Sequence, residues 1–273
     1  MVKTRVLTAV VLLPLLWALV HLAPSWAFAL LVAVALLLGM REAFAMARAR
    51  GGQPLDLFGY LLGLVLAIKM WSPALLPIGS WVPFVIMAIG IPIAAMAFRR
   101  GPEAVQSAFT ETAMPLLWVA LPAVYLIALR EIDRLDGRFM LYLLFMCVMF
   151  SDTAAFFCGR AWGRRRLAPT LSPKKSWEGA IAGLLASVGA VALVRWLWLP
   201  QLQVIDIFGI GLLVGTAGIL GDLSESVMKR AAGVKDSSAL IPGHGGMLDR
   251  IDSLLFAAPT LYYYYVWVVQ GNL

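Results

Sequence analysis

The sequence predicts an all-α fold: a polytopic integral membrane helix bundle of about nine transmembrane helices, with a cytoplasmic N-terminus. Three observations carry this. First, 62% of the 273 residues are hydrophobic and only 14% charged, with a mean hydropathy of +0.87. Second, apolar runs of membrane-spanning length recur along the chain, without the alternation of a transmembrane barrel. Third, the basic residues gather in alternate interhelical segments, as the positive-inside rule requires.

The spans fall at about 5–23, 24–40, 55–70, 81–98, 112–129, 139–157, 180–199, 207–228 and 252–270. The first opens with Lys3 and Arg5 and an apolar run from Val6 to Val20. It resembles a signal peptide, but the many spans behind it favour a retained signal anchor. The third is short and carries Lys69 near its end, which fits a tilted, re-entrant or displaced segment. With the N-terminus inside, seventeen of the 22 Lys and Arg lie in cytoplasmic segments. Arg130, Arg134 and Arg138 lie outside, offset by Glu131, Asp133 and Asp136. Lys69 and Arg195 sit close enough to span ends to snorkel. The chain divides into N-terminal helices over 1–137 and a half over 138–273 that carries two cytoplasmic loops, 158–179 and 229–251. No internal repeat is evident.

Composition also excludes. Cys147 and Cys158 are eleven residues apart; if they share one helix they stand about 16 Å apart along its axis, too far for a disulfide. No Cys/His metal cluster exists. The net charge of +7 is accounted for by topology and contact with anionic lipid. No basic stripe with interleaved aromatics supports nucleic-acid binding. Tyr262 to Tyr265 and Trp267 read as interfacial anchors.

Mixed charge beside a bilayer is costly unless it binds something, and it concentrates in the second half. Ser151, Asp152 and Thr153 interrupt an apolar run. Asp152 is either a structural hydrogen-bonding group or the wall of a site. In LSPKKSWEG, Ser172 before Pro173 reads as a helix start, with Lys174 and Lys175 in the first turn. Lysines there oppose the helix dipole. They fit an anion held at that terminus, or else a positive-inside anchor pair. Arg164, Arg165 and Arg166 read as topological or lipid-facing.

The stretch 222–252, DLSESVMKRAAGVKDSSALIPGHGGMLDRID, is the densest. On a helix, Asp222, Glu225, Ser226 and Lys229 share one face, as a binding stripe or as a Glu225–Lys229 pair at a solvated helix end. Lys235 and Asp236 lead to the turn PGHGG. There His244 sits among glycines, and Gly245 and Gly246 let backbone amides approach a phosphate, unless the segment is a plain turn. Asp249, Arg250 and Asp252 open the last span, where acids also suit a helix N-terminus. Separated carboxylates, lysines and a Gly-rich loop fit a divalent cation shared with polyphosphate.

From Ser226 to Asp252 the sequence resembles the signature of the phosphatidate cytidylyltransferase (CDP-diacylglycerol synthase) family. The matching elements are Ser226, Lys229–Arg230, Lys235–Asp236, Ser238, Ile241–Pro242, His244–Gly245–Gly246 and Asp249–Arg250–Ile251–Asp252. SDTAAFFCGR and LSPKKSWEG also look like family motifs, and the first half is similar mainly in hydropathy and in its opening, VKTRVLTAVVLLP. The resemblance implies transfer of CMP from CTP to phosphatidic acid, giving CDP-diacylglycerol and pyrophosphate. It further implies Mg²⁺ on Asp222 and Asp249, with a second, monovalent cation as an option.

Physical chemistry suggests the other roles. Ser172, Lys174 and Lys175 would hold the triphosphate, while Lys229 and Arg230 neutralise the lipid phosphate or the α-phosphate. His244 would be a hydrogen-bond donor; Lys235, Gly245, Gly246, Arg250 and Asp152 complete the substrate-facing set. The expected partners are CTP, phosphatidic acid and membrane lipids, with no nucleic acid; a homodimer is allowed. The expected location is the bacterial inner membrane, with the site facing the cytoplasm. Two rivals stay open: a CTP-using lipid kinase or archaeol-type cytidylyltransferase, and an ion-coupled transporter using Asp152, Asp222 and Asp249 as a cation path.

Overall fold

The structure is a computed structural model that describes residues 14–79, 82–99, 101–240 and 245–272. Most of the predicted first span, and His244, lie outside the described residues. Helix α1 covers 14–21. It is followed by α2 (Ser25–Ala49), α3 (Asp56–Trp71), α4 (Val82–Phe98), α5 (Pro102–Arg130) and α6 (Gly137–Trp162). A short hairpin, β1 (Arg166–Ala168) and β2 (Ser172–Ser176), precedes α7 (Trp177–Leu197), α8 (Val204–Ala231) and α9 (Leu248–Tyr264). Among the described residues, α2, α5, α6, α7 and α8 are long and apolar enough to cross a membrane, and α4 is a shorter apolar helix. Exposed Ile181, Leu185, Phe208, Leu212 and Leu220 are what a lipid-facing surface presents. The chain is an all-α integral membrane protein.

Two helices run further than their apolar cores. α2 continues to Ala49, so Arg41, Glu42 and Arg48 lie on helix rather than in a loop, and α5 begins at Pro102, ten residues before the predicted span. Wide π turns at Ile86–Gly90 and Leu116–Ala120 each end two residues before a proline (Pro92, Pro122). Proline cannot donate to the carbonyl four residues back and its ring crowds that carbonyl, so the widened turn makes room.

The chain forms two compact units. One comprises residues up to 128 with 231–250, and the other 129–230 with 251–273. In the first, α3 lies against α2 through Gly59 and Gly63. A β-carbon at Gly59 would collide with Phe44, and one at Gly63 would come 3.0 Å from Leu36 and 3.1 Å from Met40. Leu36, Met40 and Phe44 are fully buried there.

In the second unit, α6 and α7 face each other through two small-residue stripes: Ser151, Ala155 and Gly159 on α6, Gly179 and Gly183 on α7. A β-carbon at Gly179 would stand 2.7 Å from the Ala155 carbonyl oxygen, and one at Gly183 would stand 2.8 Å from Ser151 Oγ. Lipid tails are as apolar as leucine, so close packing rather than water exclusion holds such helices together. Gly211 and Gly215 bring α8 equally close to Val188, Leu184 and Ser187 of α7, and Gly221 lets α8 reach the Asp252 backbone on α9. At the start of α6, the Asp136 side chain accepts from the Arg138 amide as an N-cap.

The predicted helix start at Ser172 is corrected. Ser172–Ser176 is a strand, antiparallel to β1, with Ser172 opposite Ala168 and Ser176 opposite Arg166. Helix α7 begins at Trp177, where the Ser176 side chain accepts from the Gly179 amide at 3.2 Å. Serine at N-cap satisfies that orphan donor, and Glu178 in the first turn suits the dipole. The Glu178 carboxylate also accepts from the Arg165 amide, tying helix to hairpin. Lys174 and Lys175 therefore stand on an extended strand, where the helix dipole does not oppose them.

Candidate active site

Within the second unit, the C-terminal part of α6, the hairpin, the start of α7 and the middle of α8 enclose a cavity of about 600 Å³. Its polar wall carries Arg160, Arg166, Lys174, Lys175, Asp152 and Asp222, and its apolar wall includes Phe156, Leu167 and Ile219. The small residues that bring α6 and α7 together build this geometry: Gly159, Gly163 and Gly179 line the cavity, where larger side chains would fill it. A β-carbon at Gly163 would press on Ser176, the cap of α7. The hairpin projects its lysines over the helices, and its turn is tied to the end of α8 by the Arg230 Nε donating to the Leu171 carbonyl at 3.4 Å.

Asp222 links this cavity to a second feature. Its carboxylate pairs with Lys175 at 2.5 Å. It also forms, with Glu225 and Asp252, a group whose ligand oxygens lie within 4.8 Å of one another. Glu225 is buried, only 1% exposed, and pairs with Lys229 one helical turn on. The Glu225–Lys229 pair that the sequence allowed at a solvated helix end is thus formed in the interior. Two unit charges 4.8 Å apart repel by about 3.5 kcal/mol at an effective dielectric of ~20. Lys175 and Lys229 each pair with one of these carboxylates, and Asp252 lies beside them. Hard oxygen donors at this spacing fit Mg²⁺, which takes few protein carboxylates and completes its shell with water and phosphate.

A different arrangement occupies the first unit, at the turn into α9. Asp249 Oδ2 accepts from the Ser237 amide at 3.0 Å and the Gly246 amide at 2.8 Å, and lies 2.8 Å from the Ser237 hydroxyl. Gly245 has φ +79°, and a β-carbon there would come 2.6 Å from Asp249 Oδ2. Glycine is needed there for both reasons. Glu42, from α2, is 6% exposed. It accepts from the Met247 and Leu248 amides and from the Ser238 hydroxyl, at 2.6–2.9 Å.

The sequence candidates are thereby placed. Asp152, Lys174, Lys175 and Asp222 line one cavity, with Lys229 beside Glu225 and Arg230 at the hairpin turn. Ser172 is in the strand ladder and is not among the lining residues. Gly245, Gly246 and Asp249 form the loop before α9. Lys235 and Arg250 are exposed. Arg166, read from sequence as topological, lines the cavity, as does Arg160. Sequence reading did not single out Glu42 or Arg160, and it left Glu225 and Asp252 outside its metal set. The signal for Arg160 was available: it stands eight residues after Asp152, about two helical turns along. Glu42 carried only the oddity of an acid in an apolar, Arg-flanked helix.

Comparison with known proteins identifies the family. The profile of the cytidylyltransferase family matches residues 3–268. Phosphatidate cytidylyltransferase of Haemophilus influenzae is 36% identical over 294 residues, covering 98% of this chain and all of that protein. The enzyme of the same name from Synechocystis sp. is 33% identical, covering 96% of each chain. That of Pseudomonas aeruginosa is 36% identical, covering 95% of each. With the match spanning nearly its whole length, this chain belongs to the cytidylyltransferase family.

Proposed function

We propose that this membrane protein transfers CMP from CTP to phosphatidic acid, releasing pyrophosphate and forming CDP-diacylglycerol for phospholipid synthesis. One observation carries the reading beside family membership: a cavity with four cationic side chains, two carboxylates and an apolar wall. A triphosphate needs such cations, and a lipid needs such a wall. Arg160, Arg166, Lys174 and Lys175 bind the triphosphate; Lys229 and Arg230 serve the lipid phosphate or the α-phosphate. The phosphatidate oxygen is already anionic at neutral pH, so its attack on the α-phosphorus needs little general-base help. The protein's work is in-line positioning and charge neutralisation. Asp222, with Glu225 and Asp252 beside it, would hold Mg²⁺, and Asp249 is the further metal carboxylate that the family resemblance assigns. Bound there, the cation would neutralise phosphate charge and polarise a phosphoryl oxygen. Phe156, Leu167 and Ile219 keep an apolar route for acyl chains. About nine spans with the N-terminus inside put the cavity on the cytoplasmic face of the inner membrane, where CTP is.

The decisive assay gives purified protein phosphatidic acid, Mg²⁺ and CTP labelled at the α- or γ-phosphate. Label from the α position entering lipid is expected. Label from the γ position in lipid would mean a lipid kinase instead. No pyrophosphate release, with cation conduction in liposomes, would mean a transporter.

A further inference from the structure

Glu42 is a buried carboxylate far from the motifs that define the site, and its contacts all go to one place. Its two oxygens take four donors: the Ser237 and Ser238 hydroxyls and the backbone amides of Met247 and Leu248. The last two open α9, so Glu42 sits where a helix N-terminus attracts an anion, but it arrives from α2. The Ser237 hydroxyl lies 2.8 Å from Glu42 Oε2 and 2.8 Å from Asp249 Oδ2. A hydroxyl has one proton, so the two carboxylates compete for it. Removing Glu42 would therefore free Ser237 to rotate wholly toward Asp249. It would also leave two helix-start amides and the Ser238 hydroxyl without their acceptor in a buried setting. A β-carbon on Gly246 would meet both the Ser237 hydroxyl and the Glu42 carboxylate, so the loop is built closely around this acid.

We propose that Glu42 is a positioning residue for the transfer reaction: through Ser237 and the first amides of α9 it fixes the orientation of Asp249. This rests on the proposed function, in which Asp249 carries metal. It assigns to the first half of the chain a part in the chemistry that its membrane-anchor composition does not reveal. Glutamine at 42 keeps the volume but must turn an NH₂ toward a backbone N–H, so at least one arm of the clamp opens.

The test compares wild type with Glu42→Gln in detergent, with hydrogen exchange of residues 237–249 measured without substrate alongside steady-state kinetics. Expected are faster exchange at Met247 and Leu248, a kcat about 10–100-fold lower, the range for partners that orient metal ligands, a raised half-saturating Mg²⁺, and a KM for CTP within a few-fold of wild type. A kcat within twofold of wild type, with exchange accelerated, would make the clamp purely structural and overturn the role of Glu42. Unchanged exchange would overturn the clamp itself. Wild-type protein that makes no CDP-lipid would instead sink the reaction, and the assigned role with it. Should Glu42→Gln fail to accumulate in membranes, Ser237→Ala removes the shared hydroxyl alone. It is expected to lower kcat in the same direction, and undiminished kcat there would count against the proposal.

Discussion

Acidic residues in this protein are handled in two ways. Glu42 and Asp249, in the first unit, are satisfied by neutral donors: backbone amides and serine hydroxyls, all at hydrogen-bond distance. Asp222 and Glu225, in the second, are balanced by lysines and crowd a third carboxylate, Asp252. Neutral donors fixed in the backbone hold a carboxylate still, and that suits a residue whose orientation matters. A carboxylate cluster held by flexible ammonium groups can exchange partners, and Lys175 borders a cavity where phosphate could claim it. The first arrangement builds shape, and the second stores demand for a cation and an anion together.

The largest effects should come from the carboxylates themselves. Asp222→Asn and Asp249→Asn are each expected to lower turnover on the order of a thousandfold, the scale of losing one charge-stabilising group. The two should differ in their structural trace. Asp249→Asn, which puts an amide among three donors, is expected to speed proteolysis within 233–246, whereas Asp222→Asn should leave that cleavage rate unchanged. Equal protection in both would erase the contrast between the two regions.

Lys175→Met tests the cationic side. It removes the partner of Asp222 and a phosphate ligand at once, and the KM for CTP should rise about 10–100-fold, as expected for a charge-assisted contact. An unchanged KM would leave the Lys175–Asp222 pair as a packing feature.

Gly183→Leu probes the scaffold under the cavity. The added side chain meets Ser151, and overpacking of about 1–3 kcal/mol should lower the melting temperature in detergent and weaken CTP binding together. Weakened binding without a stability loss would argue against cavity shape as the link.

Smallest is Asp136→Ala at the opposite end of α6, where loss of an N-cap costs about 1 kcal/mol and turnover should be unaffected. The hydrogen bond from the Arg138 side chain holds the Asp136 carboxyl below its usual range. Its contribution is present at neutral pH and is lost as the pH falls through that lowered value. The stability gap between wild type and variant should therefore close only on acidification below about pH 4.

Much of this was legible in the sequence because its signals are local. Asp222, Glu225 and Lys229 at helical spacing foretold one face, and the helix delivers it. Cys147 and Cys158, whose spacing rules out a disulfide if they share a helix, do share α6 and are free. LSPKKS was misread because Ser172–Pro173 satisfies the local rules for a helix start. What overrides them is pairing with Arg166–Ala168 and a better cap four residues on, and strand pairing is a non-local fact. The four-residue spacing of Gly179 and Gly183 in α7 was in plain view in the sequence but was not singled out. Their purpose shows only against Ser151 and Ala155.

The sequence by itself determined an integral membrane protein with helices of spanning length, and a signature that pointed to its family. Hydropathy, charge asymmetry and motif spacing are properties of consecutive residues, and a bilayer forces consecutive apolar residues into helices. Only the tertiary structure decided which polar residues meet. It put Arg166 and Arg160 on the wall with Lys174, Lys175 and Asp222, added Asp252 to the carboxylates of α8, and bound Glu42 to a loop some two hundred residues away. Those meetings depend on how closely helices approach, which the small residues permit but do not announce, and on hydrogen bonds between segments that no single stretch of sequence contains.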